Sequence, residues 1–137
     1  MAMTRPSQRW REAIAEEARG LATGELELKD AGMTRCYPEP LVQAVDEAFR
    51  AYEAEAARLA RTSADDSVLG AVERVVVALN DIDEDGGHGG SGFDTVDRED
   101  LCDYIYVVLA ERGIDVPALA VRNGMEPHEI TDAWREW

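Results

Sequence analysis

From Leu41 to Leu59 the apolar residues step by three or four: Leu41, Val45, Phe49, Tyr52, Ala56 and Leu59, with Gln, Glu, Arg and Ala between them. That spacing predicts an amphipathic helix over roughly 40–61, with its start marked by Pro38-Glu-Pro40. A second stripe follows on one helical face: Val68, Leu69, Val72, Val75, Val76 and Leu79. Its β-branched run Val75-Val-Val77 weakens helix propensity and leaves a strand possible, but length and periodicity favour a helix. Ser63, three residues before Asp66, resembles the capping box that would open it. A chain built around two such stripes is expected to be all-α.

The remaining segments extend that expectation. Ser7, after Pro6, is the expected N-cap of a first helix carrying Trp10, Ile14, Ala18 and Leu21, closed by Gly20 and Gly24. Glu25-Leu-Glu-Leu-Lys29 alternates and reads as one short extended connector, and Asp30-Ala-Gly32 as a turn. Asp94 or Thr95 should cap a helix over 95–112 with Leu101, Ile105, Val108 and Leu109 on its inner stripe. Tyr104-Ile-Tyr-Val-Val-Leu-Ala110 is apolar nearly all round, which places this helix centrally. Gly113 ends it. Asp115-Val-Pro117 opens a short helix stopping at Asn123-Gly124, and Pro127 opens a last one with Ile130, Trp134 and Trp137 on one face and Met125 as its staple. The expected architecture is a single compact bundle of five or six helices. With 137 residues, 45% hydrophobic and 31% charged, and with no repeat or linker, residues 1–137 read as one domain.

Charge narrows the function classes. The formal net charge is −15. Residues 1–35 sum to zero, whereas residues 81–103 hold nine acids against one base, Arg98, for −8. Such a field repels phosphate backbones and anionic membranes and attracts basic partners or cations, although acidity also serves solubility alone. Nucleic acid and membrane are therefore not expected as partners. Cys36 and Cys102 are far apart and unpaired in spacing, which fits a reduced, cytoplasmic setting. Met1-Ala-Met-Thr-Arg-Pro has no apolar core of a signal peptide, and no stretch approaches the ~20 apolar residues of a membrane helix. Thirteen of fourteen basic residues are Arg, with Lys29 the one Lys; this codon bias, with abundant Ala, Gly and Asp, suggests a GC-rich bacterial genome.

Four candidate sites follow from the residues. Asp81-Ile-Asp83-Glu-Asp85-Gly86 matches the opening of a calcium-binding EF-hand loop, so Asp81, Asp83 and Asp85 are candidate Ca2+ ligands. Gly92 stands where the bidentate Glu belongs and His88 where an apolar residue belongs, and the glycine run favours a solvated loop instead. Ala120, Gly124 and Ile130 have the spacing of a helix-turn-helix core. Its second helix carries Glu126, Glu129, Asp132 and Glu136, which suits DNA poorly and makes a degenerate regulator or a plain helical corner of it. No catalytic motif surrounds either histidine, Ser91 or Cys102, so an enzyme is not expected. The acidic run Asp94, Asp97, Glu99, Asp100 and Asp103, with Arg135 and Trp137 at the end of the chain, is a candidate interaction surface. Trp134 is expected in the core and Trp137 to be less constrained.

Thr95-Val-Asp-Arg-Glu-Asp-Leu-Cys-Asp103 and Ile130-Thr-Asp-Ala-Trp-Arg-Glu-Trp137 resemble a group of small acidic bacterial proteins of uncharacterised activity. These carry Thr-x-x-Arg-Glu-x-Leu-Cys and a Thr-x-x-Trp-Arg-x-Trp tail. The resemblance covers the last 45 or so residues and implies no activity. Some small acidic bacterial proteins of this kind are antidotes to secreted toxins, and the charge points the same way: an immunity protein for a basic toxin, or a binder of another basic protein. If the matched stretches act together, Arg98, Glu99, Arg135 and Glu136 should form an ion-pair network.

Overall fold

Pro6 fixes where the chain first becomes helical. Its φ is preset for a helix and it lacks the N–H that a first turn leaves unpaired, so α1 runs Pro6–Thr23 with Arg5 at the N-cap. Ser7 therefore lies inside the first turn instead of capping it, and its buried hydroxyl donates to Asp46 at 3.0 Å. The computed structural model describes residues 4–84 and 93–137, the side chains of 34 and 35 excepted. Gly24, at φ +79°, closes α1, but Gly20 does not. It sits within the helix, where a Cβ would lie 3.0 Å from that of Leu26 as the chain folds back.

The expected extended connector is not a strand. It bends and passes into a 3-10 turn, Leu28–Asp30, and no strand occurs among the described residues. A single-turn helix α2, Met33–Cys36, follows. Glu17 of α1 caps it across space, accepting from the Gly32 and Met33 amides at 3.1 and 2.9 Å.

The two predicted stripes form α3, Glu39–Ala56, and α4, Asp65–Glu84. Leu41, Val45, Phe49, Tyr52 and Ala56 are at most 1% exposed. The valine run of α4 is helical, with Val75 and Val76 turned inward. Burial against α3 outweighs the modest propensity cost of β-branching. α3 ends five residues before the expected limit. Arg112 supplies the reason, because its guanidinium donates to the Leu59 and Ala57 carbonyls at 3.3 and 3.1 Å and so satisfies a chain that has left the helix. Ser63 caps that turn, accepting from the Ala60 amide at 2.9 Å, and makes no capping box with Asp66.

α5, Thr95–Glu111, does open on a capping box: Asp94 accepts from the Asp97 amide and Asp97 from the Asp94 amide. Leu101, Ile105 and Leu109 are fully buried, and Tyr52 of α3 donates to the Ile105 carbonyl at 2.8 Å. Gly113, at φ +79°, reverses the chain into α6, Val116–Arg122, which Asp115 caps. The last helix, α7, is the single turn Glu129–Asp132. The expected longer helix bearing Trp134 and Trp137 does not form, because Asn80 of α4 takes the backbone beyond it. Its amide donates to the Trp134 carbonyl at 2.8 Å and its carbonyl accepts from the Glu136 amide at 2.9 Å.

The fold is thus all-α, with five helices of seven or more residues. One continuous cluster of buried side chains runs from Trp10 through α3, α4 and α5 to Ile130 and Trp137. Among the described residues no helix is long and apolar enough to cross a membrane.

Candidate interaction surface

The last turn of α4 carries Asp81, Asp83 and Glu84 and no basic residue. Three carboxylates at the negative end of a helix dipole are unfavourable for that helix. Asp83 is tied into the fold, since it accepts from the Phe93 amide at 2.9 Å and so joins α4 to the start of α5. Asp81 and Glu84 are exposed, and Ile82 between them is buried. Asp81 and Asp83 thus lie on a helix, not on the curled loop expected, and two residues apart they point to different sides. Asp85, the third expected calcium ligand, lies outside the described residues with His88 and Gly92. Among the described residues no three His, Cys, Asp or Glu side chains gather to hold a metal.

The acids of α5 divide into structural and displayed ones. Asp97 is only 3% exposed. Besides its part in the capping box it accepts from the Tyr37 hydroxyl at 2.8 Å, and Tyr37 stacks on Trp10 at 4.7 Å. Burial holds the Asp97 carboxyl above the usual range, and the bond from Tyr37 only partly offsets it. Asp100 is half-buried and lies 3.7 Å from Arg9. Asp94, Glu99 and Asp103 are exposed, Glu99 and Asp103 one turn apart on the same side of the helix.

The C-terminal candidates turn inward. Trp137 is 7% exposed and meets Phe93 edge-on at 5.7 Å, so it belongs to the interior and is more buried than Trp134, the reverse of the expected order. Arg135 is held by Asp132 at 3.0 Å and by Cys102 Sγ at 3.5 Å, and its guanidinium lies 5.2 Å over the Trp137 ring. Cys102 is a buried free thiol, as its place beside Leu101 suggests, and burial raises its pKa. The expected network does not form. No ion pair joins Arg98 or Glu99 to Arg135 or Glu136 among the described residues, and Arg98 is exposed. The helix-turn-helix spacing yields a helical corner whose second helix is one turn long.

What remains is a division of charge. Arg5, Arg9, Arg11, Arg19, Lys29, Arg50, Arg74, Arg122 and Arg135 each lie within ion-pair distance of a carboxylate. Asp81, Glu84, Glu99 and Asp103 have no cation partner among the described residues, so the surface spanning the end of α4 and the solvent side of α5 is displayed as bare negative charge. Asn80, buried at 8% exposure, is the organising residue that sequence reasoning missed. A polar residue directly after Leu79 in an apolar stripe was its signal. Compared with protein-family models, with curated proteins and with solved structures, the chain matches none.

Proposed function

We propose that this is a cytoplasmic binding protein, not an enzyme, that uses the acidic surface of α4 and α5 to hold a basic protein, as an immunity or antidote protein holds a basic toxin. The carrying observation is that the cations are neutralised locally while Asp81, Glu84, Glu99 and Asp103 are left unpaired. Unpaired charge of one sign on one surface steers an oppositely charged partner and speeds encounter. The same charge disfavours duplex nucleic acid, whose recognition needs cations against phosphate.

The test is capture on the immobilised full chain at low salt from its native host, with release by a salt step. A single basic protein should be released, with an association rate that falls steeply as salt rises. The Glu99→Arg/Asp103→Arg variant should lose the partner while melting like the parent. Recovery of nothing, of the protein itself alone, or of a partner indifferent to both salt and charge reversal would overturn the proposal.

A further inference from the structure

Beside the acidic surface a groove of about 540 Å³ runs between the last turns of α4 and the C-terminal segment. Val77, Asn80 and Asp81 form one wall, and Trp134, Arg135 and Glu136 the other. We infer that this groove seats an arginine side chain of a basic protein partner. The inference rests on the function proposed above and names the group that would anchor it.

The wall chemistry is mixed in the way a guanidinium on a methylene stem requires. Val77 is 42% exposed, a large apolar side chain left facing solvent on an otherwise well-buried helix. Trp134 is half-buried against the core. These two offer apolar contact for the stem and an aromatic surface for the planar head. Asp81 and Glu136 supply the negative charge. Arg135 also lines the groove, but its charge is engaged by Asp132 at 3.0 Å and by the Trp137 ring. The α4 terminus adds its own partial negative charge, and Asp83 and Glu84 stand in the same turn with no basic residue. A cation placed here offsets a repulsion that the free chain carries.

Arginine fits this combination better than lysine, because a planar guanidinium stacks on an indole while donating to a carboxylate in the same plane. The same segment already contains that pairing, with Arg135 over Trp137 at 5.2 Å. Two carboxylates beside an apolar wall are too few oxygens for calcium. The groove is also preformed: the two hydrogen bonds from buried Asn80 fix the Trp134 and Glu136 backbone against α4, so little ordering is left to binding.

The test is an NMR titration of the full chain with the blocked peptide Gly-Ser-Arg-Ser-Gly and its lysine and citrulline versions. Shifts should concentrate on the Val77 methyls, the Trp134 indole N–H and the Glu136 amide. The citrulline peptide should not bind, and the lysine peptide should bind more weakly. Asp81→Asn, at an exposed position, and Trp134→Leu should each weaken binding about tenfold, whereas Glu99→Gln should leave it unchanged. Shifts spread evenly over the acidic surface, or equal affinity in Asp81→Asn, would overturn the inference. If the peptide fails to seat while charge reversal at Glu99 and Asp103 still abolishes capture of a partner, the groove falls and the acidic surface stands. If the peptide seats and no partner is captured, the groove stands and the wider function falls.

Discussion

One guanidinium, that of Arg5, joins the start of α1 to α3: it meets Glu53 at 2.6 and 2.8 Å and Asp46 at 2.8 Å. Tyr104 adds a bond to Glu53 at 2.8 Å, which brings α5 into the same junction. Burial pushes both carboxyls up, but the bonds from Arg5, with Ser7 on Asp46 and Tyr104 on Glu53, outweigh it and hold both below their ordinary values of 3.8 and 4.5. A carboxyl with a lowered folded pKa contributes stability that is present above its unfolded pKa and lost as pH falls through the folded one. Asp97, raised by burial, works the other way, since its protonation on acidification favours the folded chain. Arg5→Met should therefore cost about 2 kcal/mol at neutral pH, with a cost that shrinks as pH falls below the ordinary carboxylate range. Denaturant melts at a series of pH values check this, and a pH-independent cost would rule the linkage out. Arg98, by contrast, is exposed and joined to nothing across the interface with the C-terminal segment, so Arg98→Ala should leave the melting temperature unchanged. Individual side-chain roles were the least legible part of the sequence. Ser7 has the right residue type for an N-cap, yet Pro6 moves the helix start past it. Asp97 and Trp137 look like surface residues in one dimension, and only tertiary packing buries them.

Helices were legible where an apolar stripe ran long enough to set its own face, as in α3, α4 and α5. The capping box at Asp94 and the turn at Gly113 were legible because each is written within a few residues. What failed depended on distant partners. The end of α3 is set by Arg112, which is 53 residues from Leu59, and the course of the C-terminal segment by Asn80, which is 54 residues from Trp134. No local pattern carries such information. The candidate surface was legible in part: its charge lay open in the sequence, but which acids cap, pair or face solvent did not. The Asn80 contact makes a direct prediction at this scale. Asn80→Ala removes two hydrogen bonds and leaves the Trp134 carbonyl and the Glu136 amide without their partner. It should cost about 2–3 kcal/mol. The Glu136 amide should then exchange hydrogen markedly faster while amides in the middle of α3 keep their protection relative to global unfolding. Unchanged exchange at Glu136 would mean that something other than Asn80 holds the segment.

For the whole molecule, the decisive quantity is how −15 charges respond to screening. Two effects oppose each other. Ion pairs within 4 Å stabilise the fold, but exposed pairs are worth roughly 0–1 kcal/mol each, and salt does little to charges so close together. Repulsion among the unpaired carboxylates acts over longer distances, and the screening length shrinks from about 30 Å at 0.01 M salt to about 10 Å at 0.1 M. Repulsion is thus the term that salt removes, and the folded chain, which holds those carboxylates closer together than the unfolded one, gains. Raising sodium chloride from 0.01 to 0.2 M should raise the melting temperature, and at this chain length each 1 kcal/mol gained corresponds to about 4 °C. The association rate with a basic partner should move the opposite way over the same range, because steering is lost as the field is screened. The two measurements together separate charge kept for binding from charge that supports the fold. A melting temperature that falls with salt would show that the local ion pairs outweigh the repulsion. The bare carboxylates of α4 and α5 would then no longer count as a cost the fold bears for binding.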